Sequence, residues 1–241
     1  HPSIDHIKDK SARGIGELMV AVQVDYNHIL TESMLKDWHQ ILFKKSNFIK
    51  AGEYRTGEEP MVIVSGAYGK EVIHYEAPPS LLVASEMAQF ISWYQEFEVS
   101  AVSVDQAIIK SALAHLYFES IHPFEDGNGR IGRALAEKCL SESFGYPVVL
   151  SLSSAIDLDK NLYYSELKKA QRSLVVTDWI VYFAQLVLTA QRMSQSHVLF
   201  VVSKTHFLDR LRSELNERQL QAIVKMFDAG PNGFTGGMTA K

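Results

Sequence analysis

Ile121-His122-Pro123-Phe124-Glu125-Asp126-Gly127-Asn128-Gly129-Arg130-Ile131-Gly132-Arg133 joins two stretches with helical patterning, and its residue types dictate what the joint can do. A loop with two glycines that opens directly into a helix lets successive backbone N–H groups converge on one point. The partial positive charge of the helix N-terminus reinforces that point as an anion site. Arg130 and Arg133 stand three apart, on one face of the first helical turn, where two guanidinium forks can reach the same phosphate. Asp126 precedes the loop and can hold Mg²⁺, an ion that takes one or two carboxylates and leaves the rest to water and substrate phosphates. His122 places a group that titrates near neutral pH at the loop's edge. Each residue alone also has an ordinary structural reading, as punctuation between helices or as a cap before Pro123. The ordered set describes a nucleotide phosphate site with a general base beside it.

The chain around this joint reads as mainly helical. Ile4, Ile7, Ile15, Leu18, Met19 and Val22 form an apolar stripe that predicts a helix over 4–22. A second helix is predicted over 33–43, with Leu35, Trp38, Leu42 and Phe43 inward and Thr31 as its N-cap. Met61-Val62-Ile63-Val64 and Val72-Ile73-His74-Tyr75 flank the turn Ser65-Gly66-Ala67-Tyr68-Gly69 and predict a hairpin. Pro78-Pro79 then opens a helix over 80–97. Ile108, Ile109, Leu113, Leu116, Tyr117 and Ile121 define another over 104–120, and a third runs over 130–143 until Gly145 and Pro147. Further helices are predicted over 159–172, 178–193 and 215–227, the last followed by Gly230-Pro231-Asn232-Gly233. No internal repeat or low-complexity segment interrupts the pattern.

Composition sets bounds on the rest. A chain of 241 residues, 46% apolar and 22% charged, is of ordinary globular type and can bury roughly 70% of its unfolded surface. A net charge of −4 makes the whole molecule no magnet for nucleic acid or acidic membranes. The single cysteine, Cys139, excludes an internal disulfide framework and a cysteine zinc site. No apolar run reaches the ~20 residues of a membrane helix, the richest stretch, Trp179 to Leu188, being broken by Gln185. With no signal-peptide pattern, a cytoplasmic protein without membrane partners is the default expectation. Both ends read as cut from a longer chain.

From His122 to Arg133 the sequence resembles the signature of the Fic family, His-x-Phe-x-(Asp/Glu)-Gly-Asn-Gly-Arg-x-x-Arg, at every fixed position. It is not a Walker loop, whose Gly-x-x-x-x-Gly-Lys-(Ser/Thr) spacing is absent. In the Doc-like, phosphorylating branch of the family a lysine stands where Gly129 is, so Gly129 points to AMP transfer. Gly52-Glu53-Tyr54-Arg55 with the hairpin 61–75 is similar to the family's flap region, and Tyr163-Tyr164-x-x-Leu167 resembles the segment lining its adenosine pocket. The resemblance extends over roughly residues 1–195.

It implies a mainly α Fic fold, a helical bundle with a small β-hairpin flap beside the active-site loop. Residues 1–200 would form the Fic domain, and 201–241 the start of a winged-helix module that could engage DNA only if completed. The implied reaction moves AMP from ATP onto a Ser, Thr or Tyr hydroxyl of a target protein, with ATP as substrate and Mg²⁺ as cofactor. His122 would take the hydroxyl proton and Asp126 would hold the metal. Gly127, Asn128 and Gly129 would present backbone and amide donors, and Arg130 and Arg133 would clamp the β- and γ-phosphates. Phe124 would anchor the loop in the core, with Glu125 pointing away. Tyr163 and Gln171 resemble adenine-side contacts, with Val64 and Ser65 as further nucleotide contacts on the flap, whose exposed edge would dock the target. A homodimer stays open as an assembly.

Several readings stay open beside this one. His115, seven residues before His122, is either a second catalytic histidine or a satisfied structural one; His74 and Tyr75 are either substrate contacts or plain strand residues. Fic proteins are commonly restrained by a helix bearing (Ser/Thr)-x-x-x-Glu-(Gly/Asn), whose glutamate pairs with the second motif arginine. Ser153-Ser154-Ala155-Ile156-Asp157-Leu158 and Ser213-Glu214-Leu215-Asn216-Glu217-Arg218 miss that pattern and read as turn or capping segments, which places the restraining helix upstream of residue 1. Alternative activities are transfer of another phosphate-bearing group, removal of AMP, or a non-catalytic nucleotide-sensing role.

Overall fold

The computed structural model describes residues 10–44, 48–58, 60–65, 72–100, 103–231 and 233. Nine helices and one two-stranded sheet follow in chain order among them: α1 (Lys10–Val24), α2 (Glu32–Phe43), β1 (Val62–Ser65), β2 (Val72–Glu76), α3 (Ser80–Glu96), α4 (Val104–Ile121), α5 (Asn128–Phe144), α6 (Leu152–Leu158), α7 (Lys160–Ala170), α8 (Thr177–Leu211) and α9 (Glu217–Phe227). The architecture is the expected one, mainly α with a small hairpin. The hairpin's turn, with Gly66 and Gly69, and the apolar positions Ile4 and Ile7 lie outside the described residues.

Helix α4 is the axis. Ala107, Lys110, Ala112, His115, Leu116 and Phe118 are all buried, and these positions spread around most of the helix, so it is enclosed on nearly every side. Its neighbour α5 is enclosed almost as fully and packs along it. Two cores form on either side of this pair. One gathers Trp38 and Phe43 of α2, Phe90 and Tyr94 of α3, and Phe118, Phe124 and Leu135. The other gathers Leu116, Leu140, Ile156, Tyr163, Trp179 and Phe183. The rigid joint between α4 and α5 is therefore the segment 122–127.

Local chemistry sets the helix ends. Thr31 Oγ1 accepts from the Met34 N–H (3.2 Å) and Ser103 Oγ from the Gln106 N–H (3.2 Å), N-caps that each stabilise by about 1 kcal/mol. The fully buried Lys138 of α5 donates to the carbonyls of Tyr26 (3.1 Å) and His28 (2.6 Å) and to Glu142 (3.0 Å). Those three acceptors satisfy an ammonium that burial would otherwise make costly, and they fasten the α1–α2 connection against α5.

Strands β1 and β2 are antiparallel, pairing Val62 with Glu76, Ile63 with Tyr75, Val64 with Ile73 and Ser65 with Val72, with an irregularity between Ile63 and Val64. Strand β2 lies against α7. Two elements differ from the sequence expectation. The segment Ser153–Leu158, read as a turn, belongs to α6. The helix predicted to end at Met193 continues to Leu211. Its buried stripe ends at Ala190, which is where the apolar periodicity fades, but no glycine or proline stands between Thr177 and Leu211 to stop propagation. The boundary expected between 200 and 201 falls inside this continuous helix. α9 folds back on it through the Phe227 ring, 6.0 Å from Phe200 and 5.5 Å from Phe207. The Ser213–Arg218 segment serves the turn between them, Asn216 capping α9 with a capping box to Gln219.

Candidate active site

Helix α4 ends at His122, which takes a left-handed conformation (φ 50°) and is the only non-glycine residue with positive φ among the described residues. Such a conformation costs a non-glycine residue about 1–3 kcal/mol and persists where neighbours over-determine it. The neighbour here is Arg55. Its Nε donates to the His122 carbonyl (2.8 Å), while Nη2 donates to the carbonyls of Ile121 (3.2 Å) and Pro78 (2.5 Å). Nη1 donates to Ser80 Oγ (2.9 Å), and the Arg55 N–H donates to the Pro123 carbonyl (2.9 Å). One buried guanidinium thus ties the exit of β2 to the start of the loop.

A second side chain supports the loop's far end. His39 of α2 is fully buried and stacks on the Phe124 ring, centroids 4.1 Å apart. The Gly52 N–H donates to its Nδ1 (2.8 Å), which makes Nε2 the protonated nitrogen, and Nε2–H donates to the Asp126 carbonyl (3.1 Å). Burial lowers the affinity of this ring for a second proton, so it stays a neutral, oriented bridge. Phe124 is fully buried, the core anchor expected.

Asn128 departs from its expected role. Its side chain is buried, Oδ1 accepting from the Phe124 N–H (2.9 Å) and Nδ2 donating to the Phe124 carbonyl (2.7 Å). The amide therefore locks the loop and is not a donor toward a ligand. Only the backbone N–H groups remain for that purpose. Gly127, at φ 85°, caps α5, and its carbonyl accepts from the N–H groups of Arg130 and Ile131 (3.0 Å each). Those of Asn128 and Gly129, in the first turn, have no intrahelical carbonyl to reach. A Cβ at Gly127 would stand 2.7 Å from the Phe43 ring, so only glycine fits both the angle and the space.

The outward side chains surround this helix start. Asp126 and Glu125 are exposed. The Asp126 carboxylate accepts from the Gly127 N–H (2.6 Å) and pairs with Arg130 Nη2 (3.1 Å), and the Arg130 guanidinium lies over the Phe43 ring at 4.8 Å. Arg130, Arg133 and Glu137 line a cleft of about 260 Å³ between α5, the apolar face of α1 (Leu18, Met19) and α6 (Ser153, Ser154). Arg133 Nε is buried without a partner there. Among the described residues no group of three or more His, Cys, Asp or Glu side chains gathers for a metal ion. Asp126, a lone half-exposed carboxylate, fits an ion held mostly by water and substrate phosphates.

Tyr163 is placed differently from the expected adenine-side contact. It is 3% exposed, packed beside Trp179, with its hydroxyl 2.8 Å from His115 Nε2; a large ring with one polar group gains more from that apolar enclosure. His115 itself is fully buried and stacked on Trp179, with Nε2 bonded to Tyr163, Nδ1 without a hydrogen-bond partner among the described residues, and burial holding its pKa down to about 4. Gln171 is on the site side, its amide donating to the Glu119 carbonyl (3.4 Å). Val64 and Ser65 lie on β1. Asp157 pairs with Lys160 (3.1 Å) on the exposed surface, away from Arg133.

Arg55 and His39 carry the loop, yet neither has a role legible from local spacing. His39 left one signal: it stands four residues after Leu35 and three before Leu42, on the apolar stripe of α2, where a histidine needs partners.

No described helix is long and apolar enough to cross a membrane. Residues 29–140 match the model of the Fic/DOC family. A probable protein adenylyltransferase of Aquifex aeolicus is 25% identical over 167 residues, 69% of this chain and 45% of the relative. The protein adenylyltransferase fic-1 of Caenorhabditis briggsae is 23% identical over 141 residues, 58% of this chain and 25% of the relative. The chain thus spans less than half the length of either. The crystal structure of a Fic family protein from Desulfovibrio desulfuricans superposes with a TM-score of 0.62 at 22% identity, covering 91% of this chain and 65% of that one. Motif and family match coincide on one segment, residues 29–140, which is similar to the Fic/DOC family, and the fold around it is that of a Fic family protein.

Proposed function

We propose that this chain transfers the AMP group of ATP to a Ser, Thr or Tyr hydroxyl of a target protein, releasing pyrophosphate. The observation that carries the reading is the helix start at Asn128–Gly129. There, N–H groups with no intrahelical acceptor open the helix whose first turn sends Arg130 and Arg133 to the cleft, and His122 is held at the head of the same loop. Relatives named protein adenylyltransferases support the choice of reaction.

His122 takes the proton of the incoming hydroxyl as its oxygen attacks the α-phosphorus. Burial holds the ring's pKa down to about 4, which Arg55 reinforces while the Glu119 backbone and Asp126 oppose it, so the imidazole is neutral and able to accept near neutral pH. The N–H groups at the start of α5 meet the charge that grows on the phosphate oxygens, and Arg130 and Arg133 bind the β- and γ-phosphates. Asp126 is the residue that would hold Mg²⁺, which supplies charge neutralisation for the leaving group. Position 129 is glycine, where the phosphorylating branch carries lysine, and this supports AMP transfer. Gln171, Val64 and Ser65 contact the nucleotide. The hairpin's edge registers an extended target segment by strand addition.

His122→Ala tests the reading. Labelled AMP incorporation should fall by about 10² or more while calorimetry shows Mg-ATP affinity little changed, because phosphate binding needs no imidazole. Incorporation at a near wild-type rate would overturn the mechanism.

A further inference from the structure

Glu119 stands one helical turn before His122, and the two side chains face each other across a buried gap. Glu119 Oε2 is 3.7 Å from His122 Nδ1, with the carboxylate 5% and the ring 16% exposed. Glu119 Oε1 and His122 Nδ1 are both buried with no hydrogen-bond partner among the described residues. An unpaired buried polar atom costs about 1–3 kcal/mol, and the atom nearest to the unpaired ring nitrogen on this carboxylate is its other oxygen, Oε2, at 3.7 Å. Space for the carboxylate comes from α5. At Gly132, a position free in the family signature, a Cβ would collide with Glu119 Oε1.

We propose that Glu119 is the positioning residue of His122: its carboxylate draws the imidazole proton to Nδ1 and leaves Nε2 bare toward the incoming hydroxyl. This rests on His122 being the base, as proposed above. The hydroxyl O–H bond breaks, its proton moves to Nε2, the oxygen bonds to the α-phosphorus and pyrophosphate departs. The imidazolium so formed then lies against the carboxylate. A neutral Glu119 would instead donate to Nδ1, moving the ring proton to Nε2 and blocking proton uptake, the tautomer logic of a base held by an acidic neighbour.

The groups facing Glu119 come from three helices: His122 and His115 from its own, Arg133 from α5 and Tyr163 from α7. Burial pushes the Glu119 carboxyl up to about 7, with Arg133 pulling it part of the way down. His122, held to about 4, does not titrate in that range. The acid limb of turnover therefore belongs to Glu119, and activity rises with pH through about 7 as the carboxyl ionises.

The experiment follows the His122 ring by ¹⁵N NMR from pH 5.5 to 8.5 in the wild type and in Glu119→Gln, with kcat and the KM for ATP measured over the same range. The expected wild-type result is a step in the His122 shifts with a midpoint near 7, toward Nδ1–H as pH rises, and its loss in the variant. In kinetics, kcat should fall about 10–100-fold at pH 8, the limb near 7 should vanish, and the KM for ATP should stay within about twofold. A wild-type His122 with no step near 7, or a limb unchanged in Glu119→Gln, would overturn the pairing. The wild-type titration decides this even if the variant does not fold. A wild type that shows the step but transfers no AMP would support the pairing and count against the proposed reaction.

Discussion

The two faces of the loop 122–129 follow opposite rules. On the inner face the main polar groups are matched. Asn128 bonds both backbone groups of Phe124, His39 bridges Gly52 to Asp126, and Arg55 binds the carbonyls of Ile121 and His122. On the outer face donors stand ready without internal acceptors, and Asp126 and Glu125 are exposed. A loop that must present unpaired donors to a ligand needs rigidity from elsewhere, because donors free to move would turn to water or to each other. The matched inner face supplies that rigidity, so geometry on the ligand side is fixed before a ligand arrives.

Disturbing the inner face should therefore cost both stability and chemistry, and the largest effect is expected at Arg55. Arg55→Ala leaves the carbonyls of Ile121, His122 and Pro78 without their donor in a buried setting. The loss should be about 2–4 kcal/mol in denaturant unfolding, with AMP transfer falling as His122 leaves its positive-φ conformation. A variant of wild-type stability would show that the inner face does not carry the loop.

On the outer face the two readouts should separate. Arg133→Ala removes a cation whose Nε has no partner, so stability should change by about 1 kcal/mol or less. Transfer at limiting ATP should fall by about 10², read from initial rates alongside a thermal melt. Equal damage to stability and rate would erase the distinction between the faces.

This contrast also explains how far the sequence could be read. The outer face is contiguous in the chain: His122, Asp126, the glycines and both arginines fall within twelve residues, where helix geometry alone says which share a side. The helices around it were legible because α2, α3 and α5 carry clean caps or stops, Thr31, Pro79 and Gly145 among them. The inner face is built from residues far away in sequence. His39 lies 87 positions from Asp126 and Arg55 lies 67 from His122, and no local period encodes such pairings. Asn128 shows the same limit in reverse. Its place in the motif suggests a ligand donor, but two bonds to Phe124 claim its amide, a competition visible only once the loop's turn is known. Tyr163 shows a related limit: the sequence offers two adjacent tyrosines, and only packing decides that this one is buried.

The smallest effect is expected on the cleft's third wall, where α6 lies opposite Arg133. Ser153–Leu158 departs from a restraining helix at two positions, with Leu158 in place of Gly or Asn and Asp157 where a glutamate would reach the second motif arginine. If Asp157 served as such a restraint, the outer face would be partly closed by the chain itself, and the contrast between the faces would weaken. The structure turns Asp157 outward. It pairs with Lys160 at 3.1 Å with both side chains 61% exposed, while Ser153 and Ser154 are the α6 residues that line the cleft. An exposed ion pair of this kind contributes at most about 0.5–1 kcal/mol. Asp157→Ala should therefore leave the melting temperature nearly unchanged and, measured by labelled incorporation under saturating ATP, leave transfer within about twofold of wild type. A rise of tenfold or more would mean that Asp157 swings inward to hold Arg133, and that the outer face carries its own restraint.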